Sequence, residues 1–176
     1  MKFISISLIA LFVLESCNSN SNNAKTAIKT TEDSLRLINE AIQKIKSIQL
    51  SIDQLKNVSE TTGDIACGKI NYKAANDSLL KISFSGSMGD ASYDELYYFN
   101  NGLPIYVKQT TFGSSADEKE KSVVNEYYFE GAKIISFFTD AKPVVADTFK
   151  IGNVLSISKE YKELFKTKQF SDYECF

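Results

Sequence analysis

The chain contains no histidine and no tryptophan, and only three cysteines in 176 residues. Without histidine it lacks the commonest general base near neutral pH and the commonest metal ligand, so imidazole chemistry is excluded. It has no CxxC pair, no nucleophile elbow and no glycine-rich phosphate loop, the short motifs that announce redox, acyl-transfer or nucleotide chemistry. A surplus of basic charge is also missing. The formal net charge is −2 and no basic block occurs, so the electrostatic footprint of a nucleic-acid binder is absent and nucleic acid is not an expected partner. No cofactor or metal site is predicted, and the chain reads as a non-enzyme.

What is present begins at the N-terminus. Met1-Lys2 supplies one positive charge, and Phe3 to Leu14 is apolar apart from Ser5 and Ser7. A helix of about 12 residues reaches only about 18 Å, short of the ~30 Å hydrocarbon core, so the run reads as a cleaved export signal over residues 1–16. The run stops at Leu14-Glu15-Ser16-Cys17. That stretch resembles the lipobox of bacterial lipoproteins, in a relaxed form similar to those of the Bacteroidota, with Glu15 departing from the commonest pattern. The resemblance implies cleavage before Cys17 and acylation of its thiol, palmitate being among the expected chains. It also implies a cell-envelope protein held to the membrane by its lipid. Two acyl chains give stable anchoring where one is marginal. Asn18 to Asn23 is a polar tract with nothing to bury, so residues 17–30 read as a lipidated flexible tether. In such lipoproteins acidic residues just after the cysteine resemble a surface-export signal; their absence points to the periplasmic face of the outer membrane.

Residues 31–176 read as a single α+β domain, a length that buries roughly 70% of the unfolded surface. Its expected architecture is a long N-terminal helix packed on an antiparallel β-meander of about six strands, with a C-terminal helix. From Thr31 to Val58, Leu35, Ile38, Ala41, Ile42, Ile45, Ile48, Ile52 and Leu55 recur at steps of three and four, the stripe of an amphipathic helix. Thr31 is the expected cap, with Glu32 and Asp33 at the positive end of the dipole. After Thr61-Thr62-Gly63 the period becomes two. Strands are predicted at Ile65–Ala74, Ser78–Ser85, Asp94–Asn100, Leu103–Phe112, Val123–Glu130 and Lys133–Thr139, joined by Asn, Asp and Gly turns. The polar stretch from Gly113 to Lys121 reads as an exposed loop, and Val154 to Lys168 as the second helix.

An internal echo runs through the strands. Glu95-Leu96-Tyr97-Tyr98-Phe99-Asn100-Asn101-Gly102 is answered by Asn125-Glu126-Tyr127-Tyr128-Phe129-Glu130-Gly131, marking two similar hairpins. This Tyr-Tyr-Phe-x(1–2)-Gly unit resembles repeats in small secreted or lipoprotein β-meander proteins, some of them inhibitors or binding modules. Strand alternation puts Tyr97 and Tyr127 on one face and Tyr98 and Tyr128 on the other. With helices on one face, the other would present tyrosines for a protein or glycan partner; Tyr97, Tyr98, Tyr106, Tyr127 and Tyr128 are the candidate binding face. The acidic segment Asp90 to Glu95 lacks EF-hand spacing and reads as a turn. In an oxidising envelope Cys67 and Cys175 form an expected disulfide, closing a loop of about 109 residues at an upper-end gain of ~4.7 kcal/mol. The functional expectation is a membrane-anchored envelope lipoprotein acting as a non-catalytic binding or inhibitor-like module. Alternatives are a scaffold that uses the amphipathic helix for protein interaction, and a histidine-free hydrolase.

Overall fold

A computed structural model describes residues 31–113, 122–145 and 147–173. Cys17, Cys175, the export signal and the tether lie outside the described residues, as does most of the polar loop after Gly113.

Helix α1 spans Thr31–Gln54, and eight strands follow: β1 Ser59–Ile65, β2 Gly68–Ala75, β3 Ser78–Met88, β4 Ala91–Asn100, β5 Leu103–Phe112, β6 Ser122–Glu130, β7 Lys133–Thr139 and β8 Lys142–Pro143. Helix α2, Thr148–Thr167, and a short 3-10 turn at Phe170–Asp172 close the chain. The strands form one antiparallel sheet in sequential order, β1 to β8. The α+β class and the antiparallel meander are therefore present, but with eight strands rather than about six.

The difference has local causes. The predicted strand Ile65–Ala74 starts too early: Ile65 is the last residue of β1, a tight turn follows at Ala66-Cys67, and β2 begins at Gly68. One strand missed altogether is β1, an edge strand of sequence SETTGDI in which only Gly63 and Ile65 are buried. A polar edge strand shows no hydrophobic alternation, so Thr61-Thr62-Gly63 looks like a linker in sequence while lying inside β1. β8 is two residues long, too short for any pattern to register. The segment Asp90–Glu95, expected as a turn, enters β4 from Ala91. Helix α1 ends four residues before the expected Val58, because the chain must reverse to enter β1 at Ser59. Helix α2 begins six residues before the expected Val154, at an Asp147 cap whose side chain accepts from the Phe149 N–H.

Both faces of the sheet are covered. Ile42, Ile45 and Ile52 of α1 pack on Tyr98, Ile105, Tyr106 and Tyr128. Val154 and Tyr161 of α2 pack on the opposite face, over Tyr72, Ile82, Tyr97, Phe99, Val107, Tyr127 and Phe137. Asp53 pins the end of α1: it accepts from the Tyr98 hydroxyl at 2.8 Å and pairs with Lys81 at 2.7 Å. No helix among the described residues is long and apolar enough to cross a membrane.

Candidate functional site

The five tyrosines expected on a binding face are all buried, between 0% and 7% exposed. Tyr98, Tyr106 and Tyr128 pair directly across β4, β5 and β6 and make one row of rings beneath α1, 6.2 and 5.0 Å apart. Tyr97 and Tyr127 belong to a row beneath α2. The expectation fails because each helix claims one face, leaving no uncovered tyrosine face; these residues are core. The hydrophobic stripe of α1 is docked as well, with only Leu35 and Leu55 at its ends strongly exposed.

The register of the α2 face nevertheless builds a site. One row is apolar core, Tyr72, Ile82, Tyr97, Val107, Tyr127 and Phe137 in successive strands. Two residues along β4, β5, β6 and β7 the same face turns polar: Glu95 pairs with Gln109, Gln109 with Asn125, and Asn125 with Thr139. This is a ladder across β4, β5, β6 and β7, tied by Gln109 Nε2 donating to Glu95 Oε1 at 2.8 Å and Thr139 Oγ1 donating to Asn125 Oδ1 at 2.9 Å. One step further, Gly68 and Gly86 face Tyr93 and Thr111. A methyl on either glycine would collide with backbone, at the Ser85 carbonyl for Gly68 and the Cys67 carbonyl for Gly86. The Phe84 ring lies against Gly86 as well.

Helix α2 crosses above this polar zone without closing it. A cavity of about 500 Å³ remains, with the ladder residues Glu95, Gln109 and Asn125 as its floor and Asn153, Ser156, Glu160 and Tyr161 of α2 as its roof. Cys67, Phe84, Tyr93 and Tyr173 line its sides. The volume lies within the ~300–1,000 Å³ range of small-molecule sites. Among the described residues the Asn153 side chain makes no hydrogen bond, so its amide is available to a ligand.

Glu95 is the anchor of the floor. Its Oε2 accepts from the Tyr97 and Tyr161 hydroxyls, each at 3.0 Å. Burial, and then the Glu95 charge, hold both phenols above the ordinary tyrosine range, so they remain donors at neutral pH. Glu160 accepts from Ser156 Oγ at 3.3 Å and the Tyr173 hydroxyl at 3.4 Å. Burial, and then Glu160, raise the Tyr173 phenol. Behind this wall the Tyr72 hydroxyl is buried with no hydrogen-bond partner among the described residues; burial, and then Tyr173, push its ionisation upward.

Cys67 at the pocket's side is disulfide-bonded, and its expected partner Cys175 lies outside the described residues. The described residues contain no group of three or more Cys, Asp or Glu able to hold a metal ion. Sequence reasoning missed the pocket residues Glu95, Gln109, Asn125, Asn153 and Glu160. The one available signal was the echo itself, which sets Glu95 and Asn125 at equivalent positions two residues before their buried tyrosines. No protein-family model, no curated protein and no solved structure matches the chain.

Proposed function

We propose that the chain is a cell-envelope lipoprotein whose domain, residues 31–176, is a non-catalytic module that binds a small ligand in the Glu95 pocket. Removal of residues 1–16 and acylation of Cys17 would hold it to the membrane, at the periplasmic face of the outer membrane, through the tether 17–30. A lipidated Cys17 has no free thiol, which leaves Cys175 as the partner of Cys67. That bridge would keep the C-terminal tail, and with it Tyr173, against the pocket.

The observation that carries the reading is the polar ladder left open beneath α2. A hydrogen-bonded polar floor under a cavity roofed by a helix is what oriented binding of a small molecule needs. The scaffold alternative needs an undocked helix stripe, whereas Ile42, Ile45 and Ile52 are buried against the sheet. The hydrolase alternative draws on Glu95 and Glu160 facing one cavity. Glu95, however, has about four lone-pair positions and three are taken by Tyr97, Tyr161 and Gln109, leaving little of it for a nucleophilic or proton-transfer role.

The test is native mass spectrometry of the full-length chain, purified from membranes and exposed to the small-molecule fraction of envelope extract. A bound species retained by wild type and lost in Ser156→Trp, which fills the roof from an exposed position, supports the reading. Equal capture by both proteins, or none by either, overturns it. Membrane release and loss of acyl label in Cys17→Ser test the anchor independently.

A further inference from the structure

Among the described residues the pocket is lined by two carboxylates and by no cationic side chain. Glu95 lies in its floor and Glu160 in its roof, and among the described residues no lysine or arginine lines it. The ion pairs among the described residues join Arg36 to Glu40, Lys69 to Asp64, Lys81 to Asp53 and Lys166 to Glu163, so neither pocket carboxylate belongs to one. Lys159 shares an adjoining groove with Glu160 and Glu163 but makes no ion pair with either. The groups that do touch Glu95 and Glu160 are phenols, a hydroxyl and an amide. They satisfy hydrogen bonds without cancelling charge. A concave wall of low dielectric concentrates the resulting negative potential.

The rest of the lining matches a cation with an organic body. Phe84, Tyr93, Tyr161 and Tyr173 bring four aromatic rings to the cavity and Ile157 an aliphatic one-sided wall; ring faces attract cationic nitrogen. A bare metal ion fits poorly: hard cations such as calcium take six or more oxygens, the described residues supply no metal-binding group, and about 500 Å³ is far more room than an ion fills. An anionic ligand would meet two like charges.

We propose, resting on the reading of this pocket as the binding site, that its ligand is an organic ammonium ion. The charged nitrogen is held between Glu95 and Glu160 among the tyrosine rings, and the carbon body lies against Phe84 and Ile157.

The experiment titrates the full-length chain calorimetrically with three probes sharing one carbon body: 2-phenylethylammonium, 2-phenylethanol and 3-phenylpropanoate. Diacetylchitobiose serves as a neutral glycan. The ammonium is expected to bind at a single site at least tenfold more tightly than the alcohol, and the carboxylate not to bind. Glu160→Gln, at a half-exposed position where the amide oxygen can still accept from Ser156 and Tyr173, weakens the ammonium about tenfold and leaves the alcohol unchanged. Glu95→Gln has the same expected effect but alters three hydrogen bonds within the fold, so Glu160→Gln decides. Equal affinity for ammonium and alcohol, or indifference to Glu160→Gln, overturns the ammonium inference and leaves the pocket reading standing. So does binding of the glycan alone, if Ser156→Trp abolishes it. Binding by no probe overturns the ammonium inference as well; the pocket reading falls with it only when the extract experiment is also negative.

Discussion

Gly86 and Gly152 make opposite demands on an added methyl group. At Gly86 the strand surface is pressed against the Cys67 carbonyl and the Phe84 ring, so a Cβ has nowhere to go. Gly152 is in the first turns of α2 with open space around it and no positive φ. Gly86→Ala is expected to lower stability by about 1–3 kcal/mol and to disturb the pocket edge. Gly152→Ala should raise stability by about 0.5–1 kcal/mol, since alanine lowers the entropy of the unfolded chain and favours helix. Urea denaturation of the two variants checks both signs; a Gly86→Ala protein as stable as wild type would contradict the close strand approach. Glycine identity was visible in the sequence. Which glycine is crowded was not, because the atoms that crowd Gly86 come from the β1–β2 turn at Cys67 and from Phe84 on its own strand.

At the scale of elements, α1 is attached by one apolar stripe and one charged anchor. Ile45 is buried on the sheet, while Leu50 is exposed on the same helix. Ile45→Ala is expected to cost about 2–4 kcal/mol, and Leu50→Ala to stay within about 0.5 kcal/mol. Asp53 adds a pH-dependent contact. Burial alone would raise its carboxyl, but hydrogen bonds from Lys81 and Tyr98 outweigh that and hold it below the usual aspartate value. A depressed carboxyl stabilises the fold above its unfolded pKa near 4 and loses that contribution as pH falls through the folded value. Asp53→Asn should therefore cost about 1–2 kcal/mol at pH 7, and its difference from wild type should shrink below pH 4. Denaturation at pH 7 and pH 3 measures this.

The helix stripe and the hairpin echo were both legible as elements. The echo is realised closely: Tyr97 stacks on Phe99 at 6.5 Å and 17°, and Tyr127 on Phe129 at 6.5 Å and 16°, each beside a register shift at the following Tyr–Phe step. A third, degenerate copy surrounds Tyr72, with its shift between Lys73 and Ala74 and a turn at Asn76-Asp77, both at positive φ. The sequence hides it, because only the buried tyrosine and the turn are kept.

For the whole molecule the tyrosines set an alkaline limit. Burial first, and nearby carboxylates second, raise Tyr97, Tyr106, Tyr128 and Tyr161 above the ordinary phenol value, Tyr128 to about 12. The fold then binds protons that the unfolded chain releases near pH 10. Stability is full below about pH 10 and falls as pH rises toward the folded values, by up to ~1.4 kcal/mol per pH unit for a fully buried phenol such as Tyr97. Tyrosinate absorbance and unfolding should therefore rise together above pH 10; ionisation of most tyrosines at pH 10 with the fold intact would contradict the buried rows.

The sequence by itself determined the periods, three-to-four in the helices and two in the strands, because each reports how one side of an element is buried. It also determined the turns at Asn76-Asp77 and Asn101-Gly102, the echoed hairpins and the absence of histidine chemistry. Only the tertiary structure decided that two helices take opposite faces, turning the expected tyrosine binding face into core. It alone assembled Glu95, Gln109, Asn125 and Thr139 from four strands into one ladder with Glu160 above it. That row is written in the register between strands, and register depends on cross-strand packing rather than on any contiguous stretch of residues.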